Sequence, residues 1–363
     1  MSKLLKSFFT LFVFCFISPL FAASSDISFT QSDGYLYVAV GSAAYYVKKP
    51  NFHVGNLGVA PASVGDLGSI HSSSLMKANN NGFTPQYNLK LGYVFHHEYS
   101  SWLTALMGCR NAIELQVGEL YSKQTQRIRN TAGTLWFIDG SGIIWDPTKK
   151  LATSVRSARV QTQDRFIDTG LFLKGHKNSR FSSIDFEPLI GVVYTKEKTK
   201  YNFLANYDAD ELPFTSYYDD NEIYNIDSNY YGLALGDRIN LHLSTRITTF
   251  ADLQLQLLRA NIQLHAHQEA LRNSSGVVPS GYAKDVYDSE NKMTYRAKLA
   301  VGVSYQLLRQ TNSPVITVSA GVDRLGYRAQ VVTPDNSNQG KVHLDGLPVN
   351  NGFVSLEIKF LLD

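Results

Sequence analysis

Residues Lys292–Leu308, KMTYRAKLAVGVSYQLL, decide how the rest of the chain is read. The odd positions are Met293, Tyr295, Ala297, Leu299, Val301, Val303, Tyr305 and Leu307; the even ones are Lys292, Thr294, Arg296, Lys298, Ala300, Gly302, Ser304 and Gln306. Successive side chains of a strand point to opposite faces, so one face here is apolar and the other polar, charged or small. An ordinary strand runs to about five or six residues. A strand that crosses a membrane needs about ten, with aromatics near the two interfaces. Tyrosines stand near both ends of the apolar face. The stretch reads as a membrane-crossing strand, and a long strand of a soluble sandwich is the competing reading.

Working outward, nine more segments carry strand patterns. They are Gly34–Val47, Gln86–Glu98, about Arg110–Thr125, about Ala158–Lys174, a strand around Ile184–Thr195, Asn229–Leu243, a strand around Leu253–Ala266, one around Ile316–Val331, and Gly352–Leu362. Two details stand out. Pro188 interrupts the fifth strand and predicts a bulge, since proline removes a ladder hydrogen bond. The apolar set Leu253, Leu255, Leu257 changes phase to Ala260, Ile262, Leu264, Ala266, which predicts one extra residue near Leu258. In the ninth strand Ile316, Val318, Ala320 and Val322 likewise give way to Leu325, Tyr327, Ala329 and Val331.

The connections alternate long and short. The long ones, about 48–85, 126–157, 197–228, 268–291 and 332–350, are rich in Gly, Asn, Ser, Pro or acidic residues and read as surface loops. A soluble sandwich has no reason to place its long loops on every second connection. The expected fold is all-β: a transmembrane antiparallel up-and-down barrel of about ten strands, with short periplasmic turns and long extracellular loops. Eight strands fit a stricter count, and twelve fit if the Trp136 segment spans as a hairpin.

The chain begins with Lys3 and Lys6, an uncharged and mostly apolar run from Ser7 to Ile17, and Phe21-Ala22-Ala23. This pattern predicts a secretory signal peptide, residues 1–22, followed by a single domain over 23–363. After that cut one cysteine remains, Cys109, so no internal disulfide forms. With 21 Tyr, 20 Phe and only 18% charged residues, the composition suits an exported membrane barrel. A formal charge of +3 and export both speak against a nucleic-acid partner.

The last strand alternates Val354, Leu356, Ile358 and Phe360. In this it resembles the final strand of bacterial outer-membrane barrels as a class, which ends on an aromatic, although Leu361-Leu362-Asp363 follows here. The resemblance implies location in the outer membrane of a Gram-negative bacterium. It also implies contact with outer-membrane lipid and lipopolysaccharide, and recognition of this strand by the barrel assembly machinery. A host or environmental ligand at the loops is a further expected partner.

Three kinds of chemistry were sought. Omptin-type proteases pair aspartates opposite a His-Asp pair; Asp219-Asp220 is adjacent rather than alternating and no Asp-His neighbour exists. Outer-membrane lipid hydrolases use a His-x-Ser pair, which His242-Leu-Ser244 matches in spacing, with Thr245 where asparagine would stand. His265-Ala-His267 offers two metal ligands from one face, and two alone make no site; His96-His97 points to opposite faces. The expectation is a non-enzymatic barrel, with no cofactor, that either passes small solutes or works through its loops. Its expected lumen lining is Glu114, Asp185, Glu187, Arg238, His242, Asp252, Arg259, Arg296, Lys298, Arg324 and Arg328, with Glu357 and Lys359. Arginine and lysine outnumber the acids in that set, which would favour anions.

Overall fold

A computed structural model of the chain describes residues 34–47, 52–57, 74–78, 82–96, 106–108, 110–132, 135–138, 144–145, 153–179, 183–211, 214–274, 280–308, 313–332 and 342–362. Residues 1–22, expected to be a signal peptide, lie outside the described residues with Cys109 and His97, as does the side chain of His96. The strands in chain order are β1 (Tyr35–Val47), β2 (Phe52–Leu57), β3 (Ser74–Ala78), β4 (Gly82–His96), β5 (Arg110–Ala132), β6 (Leu135–Ile138) and β7 (Ile144–Trp145), then β8 (Thr153–Asn178), β9 (Ile184–Glu211), β10 (Phe214–His242), β11 (Ile247–Ser274), β12 (Ser280–Gln306), β13 (Val315–Val332) and β14 (His343–Leu362).

Ten of these close an antiparallel barrel in the order β1-β14-β13-β12-β11-β10-β9-β8-β5-β4, with β14 sealing against β1. The Trp136 segment does not span. It falls in β6, within a separate four-stranded sheet β3-β2-β6-β7.

Two of the expected long loops, 197–228 and 268–291, are largely strand. β9 and β10 run 28 and 29 residues and pair without interruption from Phe214↔Glu211 to Leu241↔Ile184. The segment 197–228 is therefore a tall hairpin, not a loop. β11 and β12, 28 and 27 residues long, likewise pair through most of 268–291. β5 and β8 extend into 126–157, and β14 begins within 332–350. A crossing takes about ten residues, so well over half of each long strand stands clear of the bilayer.

The expected bulge at Leu258 is absent. β11 pairs continuously with both neighbours through Leu257↔Leu233, Leu258↔Gly232 and Arg259↔Tyr231, and through Leu257↔Tyr295 and Leu258↔Thr294. What changes is the environment. Leu257 is 58% exposed on the outside and Leu258 is 1% exposed within. From there Ala260, Ile262, Leu264 and Ala266 continue inward, while Arg259, Gln263 and His265 face out. β9 makes the same exchange: Ile190, Val192 and Tyr194 are exposed outside, and the buried Tyr201 and Phe203 follow higher up. Below one register row the outside is lipid and the inside polar; above it the outside is water and the inside a hydrophobic core.

No bulge forms at Pro188 either. Its pairing to Asp237 is in register, and the ladder to β8 lapses between Lys174↔Leu189 and Lys177↔Phe186, then resumes with the same offset. A missing donor is absorbed by an omitted rung rather than an extra residue. A true irregularity does occur in β13, between Leu325 and Arg328. There β13 parts from β12, whose last shared pair is Arg296↔Leu325, so among the described residues the arm of β12 over 280–295 pairs with β11 alone. β14 above Gly352 likewise has left β1. The detached β13–β14 tip turns in across the lumen. Tyr327, Arg328 and Ala329, three residues in succession, are all buried, so the strand is covered on both faces.

Candidate functional site

Among the described residues, the feature with the density of a site is the lumen. It is built where even positions of β8, β10, β11 and β12 and odd positions of β9 face inward. At the short-turn end His176, Asp185, Glu187, Asn240 and His242 meet. Asn240 donates to Asp185 (2.7 Å) and to Glu187 (2.9 Å), and His242 Nε2 lies 2.6 Å from Asp185.

One level up, Glu114 accepts from Tyr37 (2.6 Å) and pairs with Lys174 (2.7 Å). Lys90 pairs with Glu357 and Arg238 with Asp252 (2.9 Å). Lys359 sits 3.9 Å above the Tyr37 ring, and Arg238 4.3 Å from the Phe250 centroid. Gly92 makes room for Tyr37, since a Cβ there would sit 2.2 Å from its ring. Higher still, Arg296 bridges Asp168 (2.9 Å) and Asp323 (2.6 Å), and Thr195 donates to Asp168 (2.6 Å). Lys298 faces inward beside this group.

The top of the polar column is Arg328. Its guanidinium reaches across the lumen from the inturned tip to Glu197 (2.5 Å) and Asp164 (3.4 Å), and stacks on Phe166 (4.9 Å). Ser122 and Thr199 donate to Asp164. All three ionised groups are at most 3% exposed. Burying charge is costly unless it is paired, as it is here, although Arg328 Nη1 and Glu197 Oε2 have no hydrogen-bond partner among the described residues. Above Arg328 the lumen is mostly apolar: Tyr224, Tyr230, Phe203, Leu258, Ile262 and Leu264 are almost fully buried, packed with Leu325, Tyr327, Ala329, Val331, Val342 and Leu344 of the β13–β14 tip. The buried Glu222 and Gln268 are joined there through the Tyr224 hydroxyl.

The structure places Glu114, Asp185, Glu187, Arg238, His242, Asp252, Arg296, Lys298 and Arg328 inside. Arg259 and Arg324 are corrected: both are exposed and lie between inward-facing neighbours, Leu258 and Ala260 for one, Asp323 and Leu325 for the other. Each had been assigned from an apolar phase that belongs to the inner wall above the bilayer. Asp164, Asp168, Glu197 and Asp323 line the lumen unforeseen, with Lys90 and Lys174, and the expected cationic excess disappears. Their parity on β8 and β9 was the available signal. It is masked in β8, where both faces carry polar residues.

The hydrolase pair does not assemble. Ser244 Oγ accepts from the amides of Arg246 and Ile247 in the turn, while the two ring nitrogens of His242 lie against Thr248 (2.9 Å) and Asp185. Asp219 accepts from Asn206 on the neighbouring strand. His265 and His267 gain a third group: Asp285 Oδ1 lies 3.0 Å from a nitrogen of each, and Tyr287 stacks on His265. The two imidazoles hold the Asp285 carboxyl below the usual carboxylate range. These groups are solvent-exposed, well beyond the apolar band.

No protein-family model matches the chain, and no curated protein is significantly similar to it. Among solved structures, a FadL homologue of Pseudomonas aeruginosa is 9% identical over 90% of each chain, with a TM-score of 0.26. The transport unit of the autotransporter AIDA-I from Escherichia coli is 11% identical over 98% of this chain and 97% of that one, with a TM-score of 0.25. The toluene transporter TodX of P. putida is 7% identical over 91% and 90%, with a TM-score of 0.24. Scores this low carry no argument about function. The closed ten-strand ladder and its outward apolar band stand without them, and they make this chain a β-barrel of the bacterial outer-membrane type.

Proposed function

We propose that this is a non-enzymatic outer-membrane protein whose lumen is closed and whose working surface is the tall sheet outside the bilayer. The observation that carries the reading is the apolar seal above Arg328. Withdrawing the β13–β14 tip would bring six apolar side chains and their partners into water, a cost on the order of 10 kcal/mol as an upper figure. That is comparable to the whole stability of a domain. A barrel that spends most of its long strands beyond the membrane, and blocks its own passage there, is built to present a surface. In this reading outer-membrane lipid and lipopolysaccharide meet the apolar band, the final strand is read by the assembly machinery, and an environmental or host ligand meets the outer sheet. The placement of Ser244 in the turn supports the non-enzymatic part.

The test is conductance of the refolded mature protein in planar bilayers. The expected result is no steady channel from protein shown to be folded by its heat-modifiable gel mobility. Stable open steps from the unaltered protein, with ion selectivity changed by Arg296→Glu, would replace this reading with that of a solute pore.

A further inference from the structure

The lumen carboxylates differ in one respect. Glu114, Asp164, Asp168, Glu197, Asp252, Asp323 and Glu357 each have a lysine or arginine nitrogen within 3.4 Å. Asp185 and Glu187 pair with none among the described residues. Their near partners are Asn240, which donates to both, and the imidazoles of His176 and His242, each within 4.0 Å of Asp185. Asp185 is nevertheless buried, with its side chain 9% exposed. Two carboxylates at i and i+2 of β9 therefore share one face with no lysine or arginine nitrogen within 4 Å among the described residues.

The surrounding donors show what cation suits them. His176 Nε2, Asp185 and Glu187 each offer a ligand atom, all within 4.8 Å of one another. His242 Nε2 lies 2.6 Å from the same Asp185 oxygen that lies 4.0 Å from His176, and so holds that carboxylate from the side. The three donors come from the adjacent strands β8 and β9, beside the turn that joins them. Imidazole nitrogen together with carboxylate oxygen is a borderline donor set, suited to zinc and its neighbours rather than to magnesium or calcium.

We propose that His176, Asp185 and Glu187 form a site for one divalent transition-metal ion, of the zinc type, at the periplasmic mouth of the barrel, with His242 steadying Asp185 from β10. The ion supplies positive charge between the two carboxylates and ties the ends of β8 and β9 together. Asn240, bonded to both carboxylates, orients them from the second shell of groups, a role that commonly tunes affinity tenfold or more. The exposed set of His265, His267 and Asp285 differs because water can serve each of its members.

The test is titration of the metal-free refolded barrel with zinc chloride by calorimetry, and with cobalt chloride followed by visible absorption. The protein carries His265→Ala and His267→Ala so that the outer imidazoles do not contribute. One zinc per barrel is expected, with at least tenfold weaker binding in Asp185→Asn and in His176→Gln, and no comparable uptake of magnesium. His176 is a third exposed, so His176→Gln serves if Asp185→Asn gives a barrel without heat-modifiable mobility. Absence of stoichiometric zinc binding, or binding unchanged in whichever of these variants folds, overturns the proposal. Conductance is independent of this result, so a pore could hold the ion and a sealed barrel could lack it.

Discussion

Strand β11 can be compared with itself. From Ile247 to Leu257 it shows apolar side chains to the outside and Asp252, Gln254 and Gln256 to the lumen; from Leu258 to Gln268 it shows Arg259, Gln263 and His265 to the outside and Leu258, Ile262 and Leu264 within. Backbone and register do not change between the halves. Only the media exchange sides. The lower half obeys the rule of a membrane barrel, and the upper half that of a soluble one. A break in hydrophobic phase along a strand therefore records either an inserted residue or a change of solvent, and the ladder tells which.

Variants that treat the halves differently test this comparison. The largest effect belongs at the seal. Arg328→Met leaves Glu197 and Asp164 buried without their cation and should cost about 3–5 kcal/mol in urea unfolding from lipid vesicles, with much of the loss recovered in Arg328→Met/Glu197→Gln/Asp164→Asn. Next comes packing. Ile262→Ala opens a cavity in the upper core and should cost about 2–5 kcal/mol. Leu257→Ala on the outside below should cost distinctly less, because lipid chains as apolar as leucine fill the gap. Equal losses at the two positions would sink the division. Charge comes third: Leu299→Arg, midway along the outer apolar face of β12, should cost about 2–4 kcal/mol, and Gln263→Arg, outside but higher, should stay within about 0.5 kcal/mol.

The lower half was legible because lipid imposes one simple pattern, and Lys292–Leu308 shows it in full. Ten strands and the alternating connections follow from that. The upper half was not legible in the same way. Tyr201, Phe203, Tyr224 and Ile226 do alternate, but their intervening partners Asn202, Asn225 and Asp227 are polar and turn-prone, so the strand resembled an acidic loop. Arg259 and Arg324 were assigned to the lumen by carrying the membrane rule past the bilayer. Asp164 and Glu197 were missed because the arginine that pairs them arrives from 164 and 131 residues away, through an inturned tip that periodicity does not announce. Asp285 could not be joined to His265 and His267 before the β11–β12 register was known.

The parting of β12 from β13 has a consequence for how copies of this protein behave beside one another. Over 280–295 the arm of β12 has, among the described residues, a ladder partner on one side only, and such an edge is a template for adding strands from another chain. Asp288 accepts from the amide of Leu344, Glu290 from the hydroxyl of Tyr327, and Lys292 lies 4.3 Å from the centre of the Tyr327 ring. The charges that would repel an incoming strand are thus also those that hold the inturned tip. Loosening those contacts would bare the edge at the same time as it opened the barrel, and a second copy could then pair on it.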